Sequence, residues 1–324
     1  MELRPRDKAE IARRSFALMD KYVAALPKDP NPQDSYAEIL RMAGRFDQAI
    51  EHYRAALAID PDFYSSQFGI ADTYSLMGDQ VRARQEYAIG FKKFSPLELD
   101  RIQWQTREAI TFVREGDYAA ADRAFQAIAD HAHAKHMSQP EADAWRQMAM
   151  YQRRPQQAIA LLAKAQAAVQ QGKNAMAAAI QQELAQILRA RVEVGLETAN
   201  KEITASTLAR LARMSESSND KIIDSAYHGA AGAVLFSGHK YTDAIAHLEE
   251  DTNNPFSLQL LAEAYQKTGD ISEAHRTTET LANFNDPTVE QALVVPAFRK
   301  CYQDPACDSN FKGVSLKKSF PRTF

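Results

Sequence analysis

Long apolar runs are missing from this chain of 324 residues. No stretch approaches the roughly 20 residues that a bilayer-spanning helix needs. The opening "MELRPRDKAEIARRSF" lacks the apolar core of a secretory leader. As written the chain is expected to be cytoplasmic, or exported if a leader has been removed. Charge of one sign is also missing. The formal net charge is -3, which gives no reason to expect nucleic acid or an anionic membrane as a partner. Glycine (12) and proline (13) are sparse, whereas Ala, Gln, Glu, Arg and Leu are abundant. That balance favours helix. With 45% hydrophobic and 25% charged residues the chain can bury a core and is not a disordered polymer.

Signatures of catalysis are absent too. No Gly-x4-Gly-Lys loop cradles a phosphate, no Gly-x-Gly-x-x-Gly follows a strand, and no His-Glu-x-x-His occurs. No cofactor is therefore expected. The two cysteines, Cys301 and Cys307, flank Asp304-Pro305, a pair that favours a turn. Two readings stay open: a small disulfide loop in an oxidising compartment, or two free thiols in a reducing one. A zinc site lacks a second pair to complete four ligands.

What the sequence does contain is self-similarity. "YAEILRMAGRFDQAIEHYRAALAIDP" (36–61), "IADTYSLMGDQVRARQEYAIGFKKFSP" (70–96), "EAITFVREGDYAAADRAFQAIAD" (108–130) and "LAEAYQKTGDISEAHRTTETL" (261–281) repeat one pattern. Each holds Gly, then Ala five residues on, then in the first three an aromatic four further. The triplets are Gly44/Ala49/Tyr53, Gly78/Ala83/Tyr87 and Gly116/Ala121/Phe125, and the late copy is Gly269/Ala274/Thr278. Apolar residues at helical spacing precede each glycine. The glycine can take the left-handed conformation that ends a helix, and the alanine fits where two helices approach closely. Gly44 and Gly78 are 34 residues apart and Gly78 and Gly116 are 38, so a longer loop is expected before the third repeat.

This pattern resembles the tetratricopeptide repeat. The resemblance implies an all-α, right-handed superhelical solenoid of helix-turn-helix units. The family's small residues match Ala37, Ala71, Ala109 and Ala262 in the first helices. In the second helices they match Ala49, Ala83, Ala121, Ala158, Ala244 and Ala274. The expected organisation is a capping helix and linker (1–32), repeats one to four (33–171), a degenerate pair of long helices (172–217), further repeats (218–286), and a capping helix and tail (287–324). An amphipathic helix over 6–26 carries Ile11, Phe16, Leu18, Met19, Tyr22 and Val23, and "PKDPNP" (27–32) breaks it. Open repeat arrays need such covers at their ends.

The resemblance also implies function. Family members bind partners on the face built by the first helices, here a candidate groove of Glu38, Arg41, Phe68, Asp72, Gln103, Arg114, Gln147 and Tyr151. The expected role is a non-catalytic scaffold for a protein or peptide. A ligand- or peptide-sensing regulator hinged at the degenerate middle is the alternative. Co-chaperones of this family grip a C-terminal carboxylate with Lys and Asn. The matching positions here hold Asp34, Glu38, Gly69, Gln103 and Arg107, and the two acids would repel an acidic tail. A remote third reading is a metal-dependent enzyme using His131, His133 and His136 of "DHAHAKHMSQP". Only His133 and His136 share a helix face. Histidines at a helix C-terminus also suit the dipole and the last carbonyls, followed here by an expected long inter-repeat loop. Tyr53, Tyr87 and Phe125 read as core.

Overall fold

The computed structural model describes residues 5–172 and 176–302, with side chains from residue 14 onward. Among them are sixteen α-helices and no strand. α1 (Pro5–Ala25) is followed by seven helix pairs: α2 (Pro30–Met42) with α3 (Phe46–Ile59), α4 (Tyr64–Met77) with α5 (Gln80–Lys93), α6 (Glu98–Glu115) with α7 (Tyr118–Ala134), and α8 (Ser138–Met150) with α9 (Pro155–Gln171). Then come α10 (Ala177–Glu197) with α11 (Lys201–Glu216), α12 (Lys221–Ser237) with α13 (Tyr241–Leu248) and a 3-10 turn (Glu249–Asp251), and α14 (Pro255–Thr268) with α15 (Ile271–Ala282). α16 (Val289–Tyr302) closes the described chain. The pairing of Cys301 with Cys307 involves a residue outside the described set.

The chain divides into two compact units, one of residues 1–104 with 285–287 and one of 105–284 with 288–324. In the first, Ala37, Ala49, Tyr53, Ala71, Ala83 and Tyr87 form one buried cluster, against which Phe16, Met19, Val23 and Trp104 pack. Leu18 and Tyr22 of α1 face solvent, although the sequence put them on its apolar stripe. Ile11 has no described side chain. Residues 285–287 belong here because the Asn285 amide donates to the Met42 carbonyl (3.1 Å) beside the Gly44 turn. In the second unit Ala109, Ala121, Phe125, Ala158, Ala244, Ala262 and Ala274 are buried. Every small residue that the repeat pattern selected is therefore interior.

One turn recurs between helices. A backbone N–H bonds to the carbonyl five residues earlier, and the preceding residue is left-handed. The bonds are Arg45 to Leu40 (2.8 Å), Asp79 to Tyr74 (3.0 Å), Asp117 to Phe112 (3.0 Å) and Asp270 to Tyr265 (2.9 Å). Gly44, Gly78, Gly116 and Gly269 supply the positive φ, as expected of this helix ending. Lys240 to Leu235, Asn200 to Gly195 and Met137 to Ala132 close in the same way, with His239, Ala199 and His136 at φ 59, 52 and 56°. The following residue caps the next helix: Asp79, Asp117, Asn200 and Asp270 each accept a backbone N–H three residues on.

Three loop expectations need correction. The loop before the third repeat (94–97) is as short as the one before the second (60–63), and the extra spacing lies in α6, which has 18 residues against 14 in α4. α2 starts at Pro30, because proline suits a first helical turn and Asp29 caps it from outside (2.9 Å to the Asn31 N–H). Only residues 135–137 separate α7 from α8, so the histidine stretch leads into a tight turn.

Candidate partner-binding surface

The groove residues that the repeat register selects fall into two groups. Glu38 is exposed, with 58% of its side chain open, and Gln103 is exposed. Arg114 is half-buried. Arg41, Phe68, Asp72, Gln147 and Tyr151 are inside.

In the first unit the reason is local. α4 packs against α2, α3 and α5, and every residue from Ser66 to Leu76 is buried. Phe68 is fully buried, stacked on Trp104 with centroids 4.8 Å apart. Gly90 lets it in: a Cβ there would sit 2.7 Å from the ring. Asp72 is fully buried and binds Arg41 (3.0 Å), and the Tyr87 hydroxyl donates to its other oxygen. Arg41 also lies 4.0 Å from Glu38. A carboxylate removed from water needs such partners, so Arg41 and Asp72 hold α2 to α4. Asp34 accepts from the Ser66 hydroxyl (2.6 Å), and burial pushes its pKa up.

The second unit closes its polar positions similarly. The Gln147 amide donates to Asp143 (2.7 Å). Tyr151 stacks on Tyr118 (5.4 Å) and leans on Phe125 (6.1 Å). Arg146 bonds Glu183 (2.8 Å), contacts Asp143, and lies 3.9 Å from Glu290. Burial pushes the Glu183 carboxyl up to about 7 against the pull of Arg146. Arg189 of α10 reaches Asp251 (2.8 Å), Ser257 (2.9 Å) and Glu193 (3.2 Å). Ser225 and Ser257 donate to Asp251. Gly229 makes room, since a Cβ there would lie 2.3 Å from the Asp251 carboxylate. This network joins α10, α12, the 3-10 turn and α14.

His131 lies in α7, while His133 and His136 are exposed. His133 meets Glu141 (3.0 Å) and His136 is the left-handed turn residue. No group of three or more His, Cys, Asp or Glu side chains among the described residues is arranged to hold a metal ion. Spacing along one helix passed over a different contact, His228 with His247, which lies across the α12–α13 hairpin.

A protein-family model described as TPR repeat matches residues 37–78. That segment runs from the small residue of α2 to the left-handed Gly78, so it spans one hairpin and the next first helix. Residues 37–78 thus carry a tetratricopeptide repeat. No curated protein sequence matches it. Among solved structures, the type IV pilus biogenesis factor PilW aligns at 15% identity over 63% of this chain and 86% of its own, with a TM-score of 0.42. The Cut9–Hcn1 hetero-tetramer of APC/C aligns at 14% identity over 82% of this chain and 46% of the other, with a TM-score of 0.47. The STAND protein PH0952 with a tetratricopeptide repeat sensor, from Pyrococcus horikoshii, aligns at 12% identity over 98% and 53%, also at 0.47. The chain thus spans about half the length of the latter two. No described helix is long and apolar enough to cross a membrane.

Proposed function

We propose that the chain is a non-catalytic scaffold that captures a protein or peptide on the first helices of its repeats. The repeat architecture supports this, because each hairpin is fixed by its neighbours and presents a largely preformed surface. One observation narrows the recognition chemistry. Arg41 and Asp72 satisfy each other inside the first unit, which leaves Glu38, 4.0 Å from Arg41, as the most open charged group among the selected positions, with Gln103 as an open amide. An exposed carboxylate favours a basic segment of the partner. The test is capture by the full chain from the native lysate after brief cross-linking, with Glu38→Lys and Gln103→Glu variants beside it. The expected result is that Glu38→Lys loses at least one captured protein while the melting temperature stays within about 1 °C. An identical captured set, or a loss that tracks a drop in melting temperature, removes this reading.

A further inference from the structure

His228 and His247 stand out because the repeat pattern does not require them. His228 lies on α12 and His247 on α13, facing one another across the hairpin. Their Nδ1 atoms are 3.1 Å apart while their ring centroids are 4.9 Å apart. The two nitrogens are therefore turned toward each other. Tyr227 presents its ring at steep angles to both imidazoles, with centroids at 5.2 and 5.8 Å. Behind His228, Asp224 Oδ1 lies 3.7 Å from Nε2. The same oxygen is held by the Ser215 hydroxyl at 2.6 Å. Both histidines remain partly open to solvent.

A plain hydrogen bond accounts for the 3.1 Å distance if one imidazole donates to the other. The surroundings fit a second use. Imidazole nitrogens bind first-row transition ions at about 2.0–2.1 Å. Two nitrogens 3.1 Å apart then subtend roughly 100° at a shared ion. That lies between the square-planar and tetrahedral angles. A carboxylate behind the far nitrogen is the usual outer partner of a ligating histidine, since it fixes the tautomer and raises ligand basicity. Asp224 lies on that side of His228, 3.7 Å from Nε2, at ion-pair rather than hydrogen-bond distance.

We propose that His228 and His247 form a two-nitrogen seat for a divalent first-row transition ion such as Cu(II), with Asp224 as a positioning residue and the remaining coordination positions open. The open positions follow from the absence of a third ligating side chain: no larger cluster of His, Cys, Asp or Glu is arranged for a metal among the described residues. Such a seat suits an ion shared with a bound ligand or partner. The proposal is independent of the groove reading, because neither histidine belongs to the selected first-helix positions.

The experiment is titration of the full chain with Cu(II) near neutral pH, followed by electron paramagnetic resonance and by isothermal calorimetry. One equivalent is expected to bind with hyperfine splitting from two imidazole nitrogens. His228→Ala and His247→Ala should each weaken binding at least about 100-fold and remove that two-nitrogen signature. Asp224→Asn should weaken it about 10-fold and keep the signature. A triple His131→Ala, His133→Ala, His136→Ala variant should leave this site unchanged. Circular dichroism confirms that each variant folds. Copper bound equally well by the folded His247→Ala variant, or lost in the triple variant, overturns the proposal, as does a spectrum with one imidazole.

Discussion

The hairpins of α2–α5 and the stretch from α10 to α14 close their turns alike and fill their interiors differently. Between α4 and α5 the left-handed residue is Gly78, and between α10 and α11 it is Ala199. Both turns make the same backbone bond, to Tyr74 and to Gly195. Aspartate caps the next helix in one and asparagine in the other. Inside, α4–α5 adds packed rings, Phe68 against Tyr87, Phe91 and Trp104, to the buried Asp72–Arg41 pair. The later stretch places Arg189, Asp251 and two serines in the equivalent role. The backbone bond specifies the turn, and glycine makes it cheaper. The interior accommodates aromatic packing beside a satisfied ionic pair in one stretch and a larger ionic network in the other.

The largest expected effect breaks that equivalence. Asp251→Ala leaves Arg189 buried with Glu193 as its remaining acidic partner, and the loss should be about 3–5 kcal/mol in urea unfolding. Phe68→Ala should cost about as much through its cavity. The two interiors part company on rescue. An Arg189→Met, Asp251→Leu double variant should recover most of its loss, because apolar residues of similar volume replace a buried pair at little cost. If the double variant is no better than Asp251→Ala, the network has a specific role beyond neutralising Arg189.

A second test uses Glu263 of α14. Burial raises its carboxyl from the ordinary 4.5 to about 7, with Gln259 and Lys267 only partly opposing. The folded state therefore holds a proton that the unfolded chain has released between pH 4.5 and 7. Stability from this group is complete below 4.5 and is lost as pH rises through 7. Glu263→Gln should leave stability unchanged at pH 4 and raise it on the order of 1–2 kcal/mol at pH 8. Equal effects at both pH values would place the cost elsewhere.

The repeat pattern made the hairpins legible, because Gly44, Gly78, Gly116 and Gly269 mark first-helix ends and alanines mark close approaches. His239 was also readable as a turn. Ala199 and His136 were not, since a side chain with positive φ leaves no compositional mark. Nor were the interior positions of Arg41, Asp72, Phe68 and Tyr151. Register along a helix tells which residues share a face, but α4 is covered by three helices and has no free face to read. Polar residues there look solvated in sequence and are paired in the structure, as Thr73 is with the Gly69 carbonyl (2.7 Å).

The smallest effect sharpens the turn comparison. Ala199 is exposed and gains nothing from its methyl. Relief of left-handed strain, about 1–2 kcal/mol, exceeds the added freedom of the unfolded chain, about 0.4–1 kcal/mol. Ala199→Gly should therefore stabilise by about 0.5–1 kcal/mol. Gly78→Ala should destabilise by a similar amount, because a Cβ at Gly78 meets nothing within 4 Å and strain is the sole cost. Thermal melts of both variants decide it, and shifts of the same sign would sink the account.

The bond from Asn285 to Met42 joins residues 243 apart in sequence. A repeat array otherwise assembles from neighbours, and folding can start at any hairpin and spread. This contact obeys another rule. Closing a loop of that length costs roughly 5 kcal/mol in chain entropy, so it forms after the intervening repeats have shortened the effective path. The end of α2 is thus completed by a residue synthesised 243 positions later. During translation the α2–α3 hairpin emerges before Asn285 and waits for that hydrogen bond.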